Sequence, residues 1–285
     1  MTPMMKLLSC SLLALAVAAP AEAEIVFSGD VGVGIGLGQI RSSDDDGENI
    51  SKNAFRLDGQ VRTQVNGFAF MLDASHFGRE LEDGEDYDDD APSQASALGL
   101  HAGYMWGDHY VGAFAGRNWF QADDAASDNG TVHGDLYGIE GHFRLPNQTT
   151  TFFGQIGKAE MIGDGTDTAF DGTFVRVGMT QQLNEKLNLM IDLEYGRSPD
   201  VFEDNNDWGE YQAVGIKAAY TFRPRLIGEA GVDFMHITAN SEDNGKDYRA
   251  FVGVRIPFGA DGTARSPLTT TYKPGLAAAW AETLD

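Results

Sequence analysis

The chain has 285 residues, 43 Asp and Glu against 20 Lys and Arg, and a formal net charge of −23. That balance excludes a general nucleic-acid binder, because holding phosphates takes clustered Lys and Arg. A single cysteine rules out an intrachain disulfide, and 35 glycines without a collagen-like period rule out a fibrous repeat.

Residues 1–23 read as a secretory signal peptide. Lys6 supplies the positive start, Leu7 to Ala18 is apolar, Pro20 breaks the run, and Ala21-Glu22-Ala23 is an A-x-A cleavage site. The mature chain is expected to begin at Glu24. The apolar run is too short to span a bilayer as a helix, and no later stretch approaches that length. Leu7-Leu8-Ser9-Cys10 loosely resembles a lipobox, yet the apolar core continues past Cys10, which favours cleavage after Ala23. Cys10 is lost with the signal, so the mature chain carries no thiol chemistry.

From residue 24 onward the pattern is of strands. Twelve alternating segments run at about 24–38, 52–66, 67–78, 93–106, 107–120, 130–145, 149–162, 168–183, 186–197, 208–222, 225–239 and 246–258. In the second, Phe55, Leu57, Val61 and Val65 alternate with Arg56, Asp58, Gln60, Arg62 and Gln64. In the ninth, Leu187, Leu189, Ile191, Leu193 and Tyr195 alternate with Asn188, Met190, Asp192 and Glu194. The last alternates Tyr248, Ala250, Val252, Val254, Ile256 and Phe258 with Arg249, Phe251, Gly253 and Arg255. Such runs are two-faced strands. The fifth, seventh and eighth segments alternate less cleanly.

The connections alternate too. Even-numbered strands lead onward through tight turns at Asn66-Gly67, Trp106-Gly107-Asp108, Leu145-Pro146-Asn147, Leu183-Asn184-Glu185 and Phe222-Arg223-Pro224. Odd-numbered strands end in longer acidic loops at 39–51, 79–92, 121–129, 163–167, 198–207 and 240–245. Strict short–long alternation with an even strand count predicts an all-β, up-and-down antiparallel transmembrane barrel of about 12 strands, both ends of the chain periplasmic. Pro92, Pro146, Pro199 and Pro224 fall in loops or turns, as a closed ladder without edge strands requires; only Pro257 sits inside a strand. The domain reading is 1–23 signal peptide, 24–258 barrel, 259–285 tail.

The rival fold is a secreted soluble β-sandwich. Against it stand the regular loop alternation and the long charged side chains opposite the apolar faces, such as Arg56, Arg62, Arg176, Lys217, Arg249 and Arg255. Aromatics also cluster at strand ends: Tyr104, Trp106, Phe143, Tyr220, Phe222 and Phe258 near turns, and Trp119, Phe120, Tyr195, Trp208 and Tyr211 near loops. Two interfacial girdles are expected from them. The run from Tyr248 to Phe258 resembles the terminal insertion signal that the barrel assembly machinery reads, although 27 residues follow Phe258.

The opening Glu24-Ile25-Val26-Phe27-Ser28-Gly29-Asp30, followed by Val31-Gly32-Val33-Gly34, resembles the first strand of alphaproteobacterial outer-membrane porins. Phe55-Arg56 and Gly67-Phe68 are similar to the strand starts that follow in that family. The resemblance covers about the first 55 mature residues. It implies a porin-like barrel and channel in the outer membrane, amid lipid and lipopolysaccharide, but not general-porin permeability; the expected cargo, small hydrophilic solutes, is a hypothesis of its own. General porins of that family have sixteen strands and a long loop folded into the pore; here Gln121 to Asn129 is too short for that role.

With apolar residues turned to lipid, the expected pore lining is Arg56, Arg62, Lys217, Arg249 and Arg255 as bases, and Asp58, Asp192, Glu194, Glu229 and Asp233 as acids. Burying these charges dry costs several kcal/mol per ion, so each must be paired or wet. A salt-bridged, non-conducting interior is the alternative. The external loops hold most of the acid, Glu80 to Asp90 above all. They form a solvated acidic mouth, or concentrate cations there and loosely bind divalent ions that bridge to lipopolysaccharide. No loop has EF-hand spacing, so no metal site and no cofactor is assigned, and a homo-oligomer stays open.

Twelve-stranded outer-membrane lipid hydrolases make an enzyme the necessary rival. No His-x-Ser-Asn run is present. Ser75 and His76 point to opposite faces, and His133 with Asp135, on one face at the outer end of the sixth strand, is a faint hint that more often marks an exposed strand end. The expectation is a channel rather than an enzyme. A non-conducting barrel acting through its loops is the second reading. The tail, with Leu276 to Leu284 able to form two helical turns, is either a periplasmic extension or a plug.

Overall fold

The structure, a computed structural model, describes residues 26–42, 49–80, 92–122, 131–162, 168–199, 209–239, 243–259 and 266–281. Twelve strands and one helix form: β1(Val26–Ser42), β2(Asn49–Val65), β3(Phe68–Glu80), β4(Pro92–Trp106), β5(His109–Ala122), β6(Thr131–Arg144), β7(Thr150–Ile162), β8(Thr168–Gln182), β9(Leu187–Ser198), β10(Gly209–Arg223), β11(Leu226–Ala239), β12(Asp243–Gly259) and α1(Lys273–Ala281). Each strand pairs antiparallel with the next in sequence, and β1 pairs with β12 from Ser28↔Gly259 to Ser42↔Gly245. The sheet is a closed barrel, so no strand edge is left open.

All five tight turns gather at one end of the barrel, called the turn end here, and their geometry follows from the residues. Asn66 (φ 52) and Gly67 (φ 84) both take the left-handed conformation that a two-residue hairpin requires. The carbonyl oxygens of the Asn147 and Asn184 side chains accept backbone N–H groups two and three residues on, at 2.9–3.2 Å. Several strands outrun their expected bounds at the opposite, loop end: β2 starts at Asn49 and β12 at Asp243, because the ladder persists beyond the apolar alternation.

The outer face is apolar. Val31, Val33, Ile35 and Leu37 of β1, Phe55 and Leu57 of β2, Leu98 and Leu100 of β4, Ile139 of β6, and Val252, Val254 and Ile256 of β12 are all exposed there. Tyr104, Trp106, Phe143, Tyr220, Phe222 and Phe258 ring the turn end on this face. The loop-end girdle differs from expectation. Trp119 and Tyr195 face outward, but Phe120 and Tyr211 point inward and are fully buried, since adjacent strand residues take opposite faces. Trp208 lies outside the described residues, as do most of the acidic loops.

Inside, the two ends differ. Toward the loop end, Phe114, Phe120, Leu136, Met161, Phe170, Phe174, Tyr211, Met235 and Ile237 form an apolar inner wall. Leu276, Ala277 and Ala278 of α1 pack on it. The helix touches β4, β5, β6, β7, β8, β10 and β11, and only a segment within the barrel can reach all seven. A Cβ at Gly275 would collide with the Phe120 ring, so glycine lets the helix come this close. Nearer the turn end, Leu268 packs with Tyr110 and Phe153. Residues 266–281 thus run along the lumen from the turn end toward the loop end.

Candidate functional site

At the closing seam, one guanidinium is shared by four strands. Arg255 of β12 donates to Asp58 of β2 from Nη2 at 2.8 Å, to Glu229 of β11 from Nε at 2.8 Å, and to Asp30 of β1. Three carboxylates around a fully buried arginine satisfy its forked donors, a geometry that an ammonium cannot copy. The space it occupies exists because Gly32 has no side chain: a Cβ there would lie 2.7 Å from Nη2. Arg56 adds a 2.9 Å ion pair to Asp58.

Across the lumen a second cluster lies on β3, β4, β6 and β7. His101 Nε2 meets Asp73 Oδ1 at 2.6 Å and Nδ1 meets Glu140 at 2.9 Å. Glu140 also accepts from Tyr110 Oη at 3.0 Å and Gln155 Nε2 at 2.9 Å. The segment 269–273 closes this cluster. Thr270 donates from N and Oγ1 to Asp73 at 3.1–3.2 Å. Thr271 Oγ1 donates to Glu194 at 2.8 Å, where Tyr211 Oη donates as well. Asn118 Nδ2 and Arg176 Nη1 donate to the carbonyls of Thr271 and Thr269, each at 3.2 Å. Arg176 also reaches Asp192 at 3.2 Å. The Tyr272 ring lies between two cations, Arg249 Cζ at 5.0 Å and Lys273 Nζ at 4.9 Å, and Lys273 approaches Asp233 at 3.9 Å.

Below this segment, toward the turn end, a chamber of about 510 Å³ opens. Arg56, Arg176, Lys217, Asp192, Glu229 and Asp233 give it a mixed-charge wall. A cleft of about 70 Å³ continues past Asp73, Arg249 and Tyr272 toward the loop end.

The ten residues singled out as pore lining lie on the inner face of their strands, but few of them face open space alone. Arg255, Asp58 and Glu229 form the seam cluster, and Glu194 serves the tail. Arg249 lies over the Phe77 and Tyr272 rings, each 5.0 Å away. Arg62 donates from Nε to Ser28 Oγ at 3.0 Å, and Lys217 sits 5.7 Å from the Phe251 ring. Tyr248 and Phe258 face outward. Sequence reasoning missed Asp30, Asp73, His101, Glu140, Thr270, Thr271, Tyr272 and Lys273. Asp30 shares the inward phase of Gly32, and Asp73 lies opposite Gln60 on the charged face of the second strand. His101 and Glu140 lie on strands where no inward residue was marked, and nothing in the tail's own pattern marks its contacts.

Among the described residues one serine and one histidine meet: His76 Nδ1 lies 2.8 Å from Ser96 Oγ across the β3–β4 ladder on the outward face, with the His76 ring against Phe55. His133 and Asp135 both face outward, and Asp135 is held by Arg117 at 2.6 Å. Thr270 Oγ1 lies 3.3 Å from His101 Nε2, but that nitrogen is already bound to Asp73 and Thr270 donates to the same carboxylate, so the hydroxyl has no free base.

No family model matches the sequence, and no curated protein matches it. Among solved structures, an outer membrane channel from Pseudomonas putida F1 overlaps 85% of this chain and 100% of its own, with TM-score 0.55 at 10% identity. The KdgM porin overlaps 79% of this chain and 99% of its own, with TM-score 0.41 at 13% identity. The Pseudomonas putida toluene transporter TodX overlaps 86% and 93%, with TM-score 0.40 at 11% identity. The fold is that of the outer-membrane β-barrels.

Proposed function

We propose that the chain is an outer-membrane, porin-like channel for passive diffusion of small hydrophilic solutes, its turn end in the periplasm and its acidic loops forming the outer mouth. The chamber of about 510 Å³, walled by charged side chains inside an apolar-coated barrel, carries this reading. An apolar outer face exposed on this scale needs lipid around it, and a wet polar chamber inside such a wall is the makings of a pore. On this reading the surrounding partners are outer-membrane lipid and lipopolysaccharide, with divalent cations at the loops. Phe258 then ends the strand that the assembly machinery engages. Catalysis is the less favoured reading; its one geometric support among the described residues is the outward His76–Ser96 contact.

The apolar packing of α1 in the loop-end half favours a second reading, a non-conducting barrel acting through its loops. Planar-bilayer recordings separate the two. Stepwise single-channel currents are expected; their absence from both the full chain and a variant ending at Gly259 would overturn the channel.

A further inference from the structure

We infer that residues 266–281 are a tethered occupant of the permeation path: they hold the channel mainly closed, and their contacts mark the class of solute that displaces them, amino sugars and other small hydroxylated amines. The inference rests on the channel reading above.

The occupancy argument is steric. The segment crosses the lumen between the chamber and the loop end, and α1 fills the space against β4–β8, β10 and β11. Past it, among the described residues, a narrow cleft opens at Tyr272. The seat is shaped for this segment, because a Cβ at Gly99 would coincide with Thr270 Oγ1 and one at Gly116 would press on Thr270 Cγ2 at 2.8 Å. It is also reversible in kind. Apart from its own chain the segment is held by contacts alone, and its polar contacts are hydrogen bonds and one long ion pair, each of which water can replace.

The class argument comes from what the wall offers. It meets two of the segment's three threonine hydroxyls, those of Thr270 and Thr271, with Asp73 and Glu194, and its ammonium with Asp233. Arg176 and Asn118 meet its carbonyls. Three carboxylates stand at the hydroxyl and ammonium positions, with Arg176 and Arg249 at the carbonyl and ring positions, an arrangement that suits a solute carrying hydroxyls and an amine. At those positions the carboxylates disfavour a carboxylate or phosphate.

Two variants test this in planar bilayers. One ends at Gly259. The other, Gly99→Val, keeps the whole chain and expels Thr270 from its seat with a residue that β-strands favour, so the test survives if the truncated barrel fails to insert. Both are expected to show a several-fold larger and steadier conductance than the full chain. A synthetic peptide of residues 266–281 is expected to close the truncated channel again. In the open variants, glucosamine is expected to block current at lower concentration than glucose, and gluconate least. Equal conductance of full chain and variants overturns the inference while leaving the channel intact, as does a peptide without effect. Tightest block by gluconate overturns the solute class. Absence of current steps from every chain overturns the channel reading and the inference with it.

Discussion

Arg255 and Asp58 lie 197 residues apart in sequence and 2.8 Å apart in the barrel. That contact ties the last strand to the second across the intervening β1, so the seam is clamped by side chains as well as by its ladder. Removing the guanidinium leaves Asp30, Asp58 and Glu229 buried together. Arg255→Met is expected to lower stability by about 3–5 kcal/mol, the cost of breaking a buried charge cluster. Arg255→Lys should recover only part of that, because one ammonium cannot serve three carboxylates. Urea unfolding in detergent micelles checks both, and wild-type stability of Arg255→Met would remove the clamp from the account.

The Asn66-Gly67 turn gives a second, smaller test. Gly67 sits at φ 84 with Tyr104 packed against it, a Cβ there falling 2.8 Å from Cε2. Gly67→Val is expected to cost about 1–3 kcal/mol from left-handed strain, read as a lower urea midpoint. The Tyr104 ring, packed edge-on against Phe68, must move to admit the new side chain, so the cost should fall in the Tyr104→Ala background.

Ile139 is 63% exposed in the middle of the outer face. Ile139→Arg is expected to destabilise the barrel by about 2–4 kcal/mol in lipid bilayers, the cost of a charge at mid-membrane. Arg117→Ile, which opens the half-exposed pair with Asp135 at the loop end, should cost about 1 kcal/mol or less. Similar small effects at both sites, measured by reversible unfolding in liposomes, would contradict lipid contact at Ile139.

Lys217 lines the chamber. Lys217→Glu replaces a base by an acid beside Asp192, Glu229 and Asp233, so the reversal potential in a KCl gradient is expected to move toward that of potassium. A shift toward chloride, or none in a conducting variant, would place the current path elsewhere.

Strand count, pairing order and the side of each turn were legible because β2, β9 and β12 carry apolar residues outward and charges inward. The same logic explains where legibility failed. β5, β7 and β8 alternate poorly because Phe114, Phe120, Met161, Phe170 and Phe174 face inward onto α1 and the surrounding inner wall, making both faces apolar. Two-period patterning cannot separate an inner face packed on a helix from an outer face bathed in lipid. Inner charges were found by phase, but their partners were not, since the contacts that matter join residues such as Asp73 and Thr270, 197 positions apart. The tail's Thr269–Lys273 stretch has no periodicity at all; its place is decided by the cavity it enters.

The doubly apolar strands also have a meaning before the barrel exists. An unfolded chain in aqueous transit would present the stretch from β5 to β8 as a sticky one, because parts of β5, β7 and β8 are apolar on both faces. The acidic segments punctuate that stretch: Glu80 to Asp90 precede β4 and β5, and Asp123, Asp124, Asp128, Asp164 and Asp167 fall between the strands that follow. Charge repulsion at such spacing keeps hydrophobic segments of different chains apart, as gatekeeper residues do. On this view much of the net charge of −23 is a travelling coat, worn by the chain while its greasy strands have neither lipid nor helix to face.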